Sequence, residues 1–234
     1  MYGGYYGYYF DPTYILVLIG AILSLIASAK VNSTFNKFSK VRSASGMTGK
    51  EAAEKILYAN GITDVTVEPI GGKLSDHYDP RNKVLRLSET VYGCKSVAAI
   101  GVAAHECGHA LQHHEEYGPL KLRSTLVPVA NIGSRLGIPI VILGVLLSYN
   151  YVLIQIGIWV FALAVLFQIV TLPVEFNASK RAIDMVDRLG ILGMQETNMT
   201  KKVLSAAAMT YVAAAATSIL QLLRLVILFG RRRD

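Results

Sequence analysis

The sequence predicts a mainly α protein in which polytopic transmembrane helices carry a small α+β soluble part. Hydrophobic residues make up 53% of the 234 residues and charged residues only 17%, less than the roughly 25% of an average soluble domain. The apolar residues come in blocks, and no charged residue occurs between Leu136 and Pro173. That block is nearly twice the roughly 20 residues needed to cross a bilayer once. An ordinary water-soluble enzyme is therefore not expected.

Charge and cysteine content narrow the protein class further. The net charge of +7 is spread over loops and the C-terminal tail, without a basic stripe interleaved with aromatic residues, so no nucleic-acid partner is expected. Cys94 and Cys107 are too few for a disulfide framework. Free thiols agree with a reducing compartment.

The N-terminal part predicts the orientation in the membrane. Residues 1–12 form a tail rich in Tyr and Gly, and residues 13–29 form a first transmembrane helix. Four cations follow this span and none precedes it, which places the N-terminus outside and the following part in the cytoplasm; the cations are Lys30, Lys37, Lys40 and Arg42.

Residues 30–123 form the cytoplasmic part. Thr48 and Glu51 form a capping box that begins a helix, and Gly61 ends it. Apolar alternation predicts strands within residues 65–89, interpreted as a small antiparallel sheet. From Ser96 onward the pattern predicts a buried, Ala-rich helix.

The C-terminal half contains the remaining spans. The second and third transmembrane helices are predicted at residues 124–150 and 151–173, joined by an uncharged outer turn. Residues 174–200 then predict a cytoplasmic helix, 201–230 a fourth span or a membrane-associated helix, and 231–234 a basic tail. Arg224 interrupts the last apolar segment, and a fourth span would put the basic tail outside, against the charge rule. The sequence leaves both possibilities open.

An HExxH motif lies in the Ala-rich helix, at His105, Glu106 and His109. Residues i and i+4 share one helix face, so two imidazoles there can bind a single Zn²⁺. Glu106 points beside that pair and can act as general base without being a ligand. The alternative is two histidines with ordinary structural partners on an amphipathic helix.

A third protein ligand is needed to complete a catalytic zinc site. Glu175 is the best candidate, because it follows the third span and Pro173, a residue that suits the first turn of a new helix. The alternative is a Glu favoured only by the helix dipole. His113 and His114 are more consistent with surface positions, because the helix rotates them away from the motif face.

Four segments carry a resemblance to a known family: DHYDPRNKVLRLSE, GVAAHECGHALQ, PVEFNASKRA and AAAMTYVAAA. They resemble the YugP-like neutral zinc metallopeptidases, which are distantly similar to the HtpX and Ste24 membrane endopeptidases of the gluzincin type. The resemblance covers nearly the whole chain. It implies a zincin-like catalytic domain that binds one Zn²⁺ through His105, His109 and Glu175, with Glu106 as the base.

One position departs from the wider HtpX-like pattern. That pattern has an Asp four residues after the ligand Glu, where this chain has Ser179. Such an Asp would orient a zinc-bound imidazole, a role left to Ser179, Asp184 or another acid. The group that stabilises an oxyanion is equally open among Arg181, His113 and Tyr211, while Cys107 is expected only to pack.

The expected function is that of an integral-membrane zinc metalloendopeptidase. The protein is expected in the plasma membrane as a multi-pass protein with its active site on the cytoplasmic side. Expected partners are the lipid bilayer and a polypeptide substrate, with membrane or misfolded proteins favoured by analogy. A substrate peptide could pair with an exposed strand edge near residues 83–89. The alternative is that this segment is an ordinary core strand. The main alternative is a non-catalytic scaffold or chaperone-like protein with a structural zinc site. A transporter is less favoured, and the oligomeric state is open.

Overall fold

A computed structural model describes residues 11–72 and 74–230 of the chain. The predicted tail over residues 1–12, apart from its last two residues, and the basic tail at 231–234 lie outside the described residues. Seven helices and three strands form the described part, in the order α1 (Tyr14–Phe38), α2 (Gly49–Ala59), β1 (Thr66–Ile70), β2 (His77–Asp79), β3 (Val84–Ser88), α3 (Glu89–Tyr92), α4 (Val97–His114), α5 (Gly118–Leu146), α6 (Tyr151–Arg188) and α7 (Met194–Phe229).

Four of these helices, α1, α5, α6 and α7, are long and apolar enough to cross a membrane. The shortest has 25 residues, and at about 1.5 Å per residue it exceeds a hydrocarbon core of roughly 30 Å. The mainly helical fold class with a small α+β part is thereby confirmed. The final apolar segment is one continuous helix and supplies the fourth candidate span.

The hairpin of α5 and α6 depends on glycines at the contact between the two helices. A Cβ atom on Gly157 would lie 2.7 Å from the Val141 backbone nitrogen, and one on Gly137 would lie 2.9 Å from the Phe161 Cα. Only hydrogen in place of a side chain allows this approach, which is the usual use of small residues between membrane helices.

The soluble part is built around the buried face of α4. Thr48 and Glu51 form the predicted capping box of α2, and the Ser96 hydroxyl accepts a hydrogen bond from the Ala99 backbone at the start of α4. Buried apolar residues of α2, α4 and the sheet form one core with the C-terminal end of α6. This core fixes the position of α4 relative to α6.

The sheet is mixed, so the antiparallel prediction is wrong for one of its two pairings. β3 is the central strand; β1 pairs with it in parallel and β2 pairs with it in antiparallel orientation. The chain crosses from β1 to the far side of β3 before the β2–β3 hairpin returns it, an order that strand periodicity does not reveal. The segment 83–89 is accordingly a core strand, and β2 is an edge.

The predicted break at Pro173 is also wrong. Pro173 lies inside α6, which continues without interruption from Tyr151 to Arg188. A proline is tolerated within long membrane helices, because neighbouring groups satisfy the carbonyl that it frees. Glu175 therefore lies in the middle of a 38-residue helix rather than in the first turn of a separate one, and the alternative based on a helix N-terminus does not apply.

Candidate metal centre

Two helices bring the three predicted ligands together. His105 and His109 lie one turn apart on α4, and Glu175 faces them from α6. Glu175 Oε2 lies 3.3 Å from His105 Nε2 and 3.5 Å from His109 Nε2. One ligand atom from each residue falls within 4.8 Å of the others. The three side chains are 13%, 12% and 2% exposed, so the cluster is largely withdrawn from solvent.

The close approach of α4 and α6 depends on Gly108, inside the HExxH motif. A Cβ atom at this position would lie 2.5 Å from the Ala178 carbonyl oxygen and 3.1 Å from the Ala178 Cα. Real Cβ atoms do not approach backbone so closely. A residue without a side chain at Gly108 is therefore what lets Glu175 reach the two imidazoles.

Hydrogen bonds to the Nδ1 atoms orient both rings. Ser179 Oγ lies 3.1 Å from His105 Nδ1, and Gln112 Oε1 lies 3.0 Å from His109 Nδ1. Ser179 thus occupies the role that the sequence left open, whereas Asp184 is exposed. Partners of this kind fix the tautomer and the direction of a ligand imidazole.

Gln112 is a site residue that sequence reasoning missed. Its amide is fully buried and donates from Nε2 to the Val174 carbonyl, at 2.8 Å, and to Asn177 Oδ1, at 3.0 Å. These two bonds orient Oε1 toward His109, so His109 Nδ1 must carry the hydrogen and the Nε2 lone pair is available. A glutamine about one turn after the second histidine, directly after Ala110 and Leu111, was the available signal.

The donor set fits a zinc ion. Two imidazole nitrogens and one carboxylate oxygen are among the ligand sets of catalytic zinc. Glu175 Oε2 is buried and accepts no well-formed hydrogen bond among the described residues, although a buried carboxylate oxygen normally has a partner. A dication between the three atoms would supply that partner.

The electrostatic surroundings of His109 favour a positive charge between its Nε2 atom and Glu175. Burial of the ring opposes protonation, but the contact with Glu175 and the charge of Glu106 outweigh it, so the pKa of His109 is raised above its usual value. The same carboxylates that attract a proton to Nε2 would attract a metal ion.

Glu106 faces a cavity of about 230 Å³ that also has His109 and Glu175 in its wall. The β2 strand contributes His77 and Tyr78 to the wall. The predicted base and two of the predicted ligands therefore open onto one space, which a water molecule and part of a substrate can enter.

Of the three candidates for oxyanion stabilisation, only Tyr211 lines this cavity. His113 Nδ1 instead lies 2.9 Å from the Tyr78 hydroxyl. Arg181 forms an ion pair with Glu115 at 2.8 Å. Of the three candidates for oxyanion stabilisation, Tyr211 is therefore the one whose position beside the cavity suits that role.

Arg123 is a second residue that the sequence did not single out. It lies on α5, lines the cavity, and its Nη2 is 3.6 Å from Glu175 Oε1. The guanidinium lies beside Oε1, whereas the contacts with the two imidazoles are made by Oε2. Only the tertiary fold relates α5 to Glu175, so no local pattern could have indicated this contact.

Cys107 follows the base directly but lies on the opposite side of α4. Its side chain is fully buried, and its thiol lies 3.6 Å from the Ala53 carbonyl oxygen. Burial raises the pKa of the Cys107 thiol well above its usual value. The residue therefore packs within the core, away from the cavity.

The fold and this cluster define a class: helical membrane proteins with a soluble part in which two histidines and a glutamate can hold one metal ion. The chain belongs to the family described as "Putative neutral zinc metallopeptidase", whose model matches residues 13–230. It is 51% identical over 222 residues to the "Putative membrane protease YugP" of Bacillus subtilis (strain 168), a match covering 94% of this chain and 98% of that protein. No solved structure matches the chain significantly. The protein is thus a membrane protein of a zinc metallopeptidase family.

Proposed function

We propose that the protein is an integral-membrane zinc metalloendopeptidase that hydrolyses peptide bonds by activating water. The observation that carries the proposal is the convergence of His105 Nε2, His109 Nε2 and Glu175 Oε2 within 4.8 Å, beside a cavity that also contains Glu106. Three protein donors and an open position are what distinguish a catalytic zinc site from a closed structural one.

Each residue has a distinct chemical role in this proposal. A zinc ion held by the three ligands would lower the pKa of a bound water and polarise the scissile carbonyl. Glu106 accepts the proton of the attacking water and later donates it to the leaving amine. Tyr211 faces the same cavity and would donate its hydroxyl hydrogen to the developing oxyanion. No covalent intermediate with the protein is required.

A polypeptide in extended conformation is the substrate that the surroundings favour. The edge strand β2 lines the cavity, and an extended peptide can pair with an exposed strand edge. A second cavity of about 610 Å³ shares four lining residues with the first: Pro80, Leu120, Ser124 and Val127. Together they form a groove along the start of α5, beside the apolar part of that helix. Membrane or misfolded proteins are the substrates that we propose from this placement.

We further propose that the protein crosses the plasma membrane four times, with the metal centre on the cytoplasmic side. The support is the charge distribution, since positive residues concentrate after the first span and the soluble part begins there. His105 and His109 belong to this soluble part, and Glu175 lies within α6, just after the apolar stretch of that helix.

Metal analysis of the purified full-length protein tests the proposal. We expect about one Zn²⁺ per wild-type chain, loss of the metal in Glu175→Ala, and retention of the metal with loss of peptide hydrolysis in Glu106→Gln. Glu54→Gln, a substitution of an exposed glutamate on α2, serves as the matched control and should retain both properties.

The three variants also separate the alternatives. Zinc bound by Glu106→Gln together with undiminished cellular function would support the non-catalytic scaffold instead. Wild-type protein that is metal-free after gentle purification, and that does not take up added Zn²⁺, would refute the metal site itself.

A further inference from the structure

A basic groove lies between α1 and α7, on a different part of the molecule from the metal centre. It has a volume of about 930 Å³ and contains four lysines, two on each helix: Lys30, Lys37, Lys201 and Lys202. No Asp or Glu belongs to its lining. The rest of the lining offers small polar groups, including Thr34 and Asn198, and apolar side chains, including Phe38 and Met209.

The position of the groove places it at the level of lipid headgroups. Lys30 is the first charged residue after the apolar stretch of α1, and Lys201 and Lys202 directly precede the apolar stretch of α7. Both helices are candidate membrane spans. The boundary of the hydrocarbon core therefore passes through this groove, and Lys37 lies about 10 Å further out along α1.

The two helices are firmly joined deeper in the membrane, so the groove is a defined opening between them. The Thr217 hydroxyl donates to the Gly20 carbonyl oxygen at 3.0 Å, and Ser24 Oγ lies 3.1 Å from Thr217 Oγ1. A Cβ atom on Gly20 would lie 2.9 Å from Thr217 Cγ2. At their polar ends, from Lys30 onward on α1, the two helices leave the space of the groove between them.

Positive charge in the groove is not neutralised by the protein. The four lysines are exposed, and none of them forms an ion pair with a carboxylate of the described residues, in contrast to Lys50, Lys83 and Lys121. The Lys37 ammonium lies 5.5 Å from the centroid of the Phe38 ring. Four positive charges that line one groove repel each other, and an anion bound between them would offset that repulsion.

We propose that this groove binds the headgroup of an anionic phospholipid. The lysines pair with its phosphate, the hydroxyl and amide groups donate hydrogen bonds to its oxygens, and its acyl chains lie along the exposed apolar surface of α1. Basic pockets between transmembrane helices bind anionic headgroups in this way. The lipid would join α1 to α7 at the membrane surface and support the beginning of the soluble part.

Native mass spectrometry of the full-length protein tests this proposal. The protein is transferred from neutral detergent into mixed micelles with equal amounts of phosphatidylglycerol and phosphatidylcholine, and the retained lipid is counted. We expect the wild type to retain phosphatidylglycerol preferentially. Lys30→Gln/Lys37→Gln and Lys201→Gln/Lys202→Gln should each reduce that retention about tenfold, given the contribution of single lysines to anionic lipid binding.

Matched variants separate charge from folding. Lys50→Gln/Lys95→Gln removes two lysines from the soluble part and should retain phosphatidylglycerol like the wild type, as should Lys201→Arg/Lys202→Arg. Equal retention by all variants would overturn the proposal, and so would equal losses in the Gln and Arg variants. Displacement of the lipid by inorganic phosphate at constant ionic strength would also overturn it, because the groove would then be a site for free anions.

Discussion

The two imidazoles of the metal centre are oriented by partners of unequal strength. Gln112 holds His109 through an amide that is itself fixed by bonds to Val174 and Asn177. His105 depends on the single hydroxyl of Ser179, where the wider HtpX-like pattern has a carboxylate. A carboxylate in place of the Ser179 hydroxyl would make the His105 imidazole a more basic ligand. His105 is therefore the ligand whose zinc binding a substitution of its partner could strengthen.

Substitution of Ser179 should therefore change zinc affinity in both directions. We expect Ser179→Ala to weaken zinc binding about tenfold or more, and Ser179→Asp to strengthen it, because the partner of a ligand histidine typically contributes 10- to 100-fold. Titration against a chelator of known affinity measures both effects. Ser134→Ala, at an exposed hydroxyl that donates to the Asn131 carbonyl of its own helix, provides the control. An unchanged affinity in both Ser179 variants would show that the hydroxyl has no orienting role.

Helix spacing accounts for what the sequence could predict of the site. His105, Glu106 and His109 follow from the period of one helix, since the relation between i and i+4 is local. Glu175 was indicated by its place just after the third predicted span and by the family resemblance, not by a fixed spacing from the two histidines. Gln112 and Arg123 could not be assigned, because their partners on other helices depend on how α4, α5 and α6 pack. Pro173 was interpreted as the first turn of a new helix, as is usual for proline in soluble proteins. Long membrane helices tolerate proline in their interior, so that rule does not apply to α6.

At the scale of helices, the contact of α4 with α6 at Gly108 should be decisive for the metal centre. Gly108→Ala places a methyl group against the Ala178 backbone, and overpacking of this kind typically costs about 1–3 kcal/mol. We expect lower thermal stability and loss of zinc, because the helices must separate and Glu175 retreats from the imidazoles. Thermal unfolding followed by circular dichroism, with metal analysis, measures both effects. Gly118→Ala, where the added methyl group meets nothing within 4 Å, should retain both; a normal zinc content in Gly108→Ala would contradict this account.

Considered as a whole, the described residues contain four candidate spans, and a chain that crosses the membrane with all four has both of its described ends on one side. Asp11, just before α1, forms an ion pair with Arg224 near the end of α7, at 3.1 Å. The Arg224 guanidinium also lies 4.2 Å from the centroid of the Tyr14 ring. A charge within an apolar segment is tolerated when it is paired in this way. The pair shows how α7 could span a membrane despite Arg224, and it joins the beginning of α1 to the end of α7.

Four spans with the N-terminus outside predict a specific pattern of surface labelling. In a Cys94→Ser background the remaining Cys107 is fully buried, so a newly introduced cysteine is the reporter. With a membrane-impermeant maleimide, Tyr149→Cys, in the exposed turn between α5 and α6, should be labelled in intact cells. Glu54→Cys, on the exposed face of α2, should be labelled only after permeabilisation, and the background alone should not be labelled. The reverse pattern would place the metal centre outside the cell, and labelling of both positions in intact cells would contradict a hairpin of α5 and α6 that crosses the membrane.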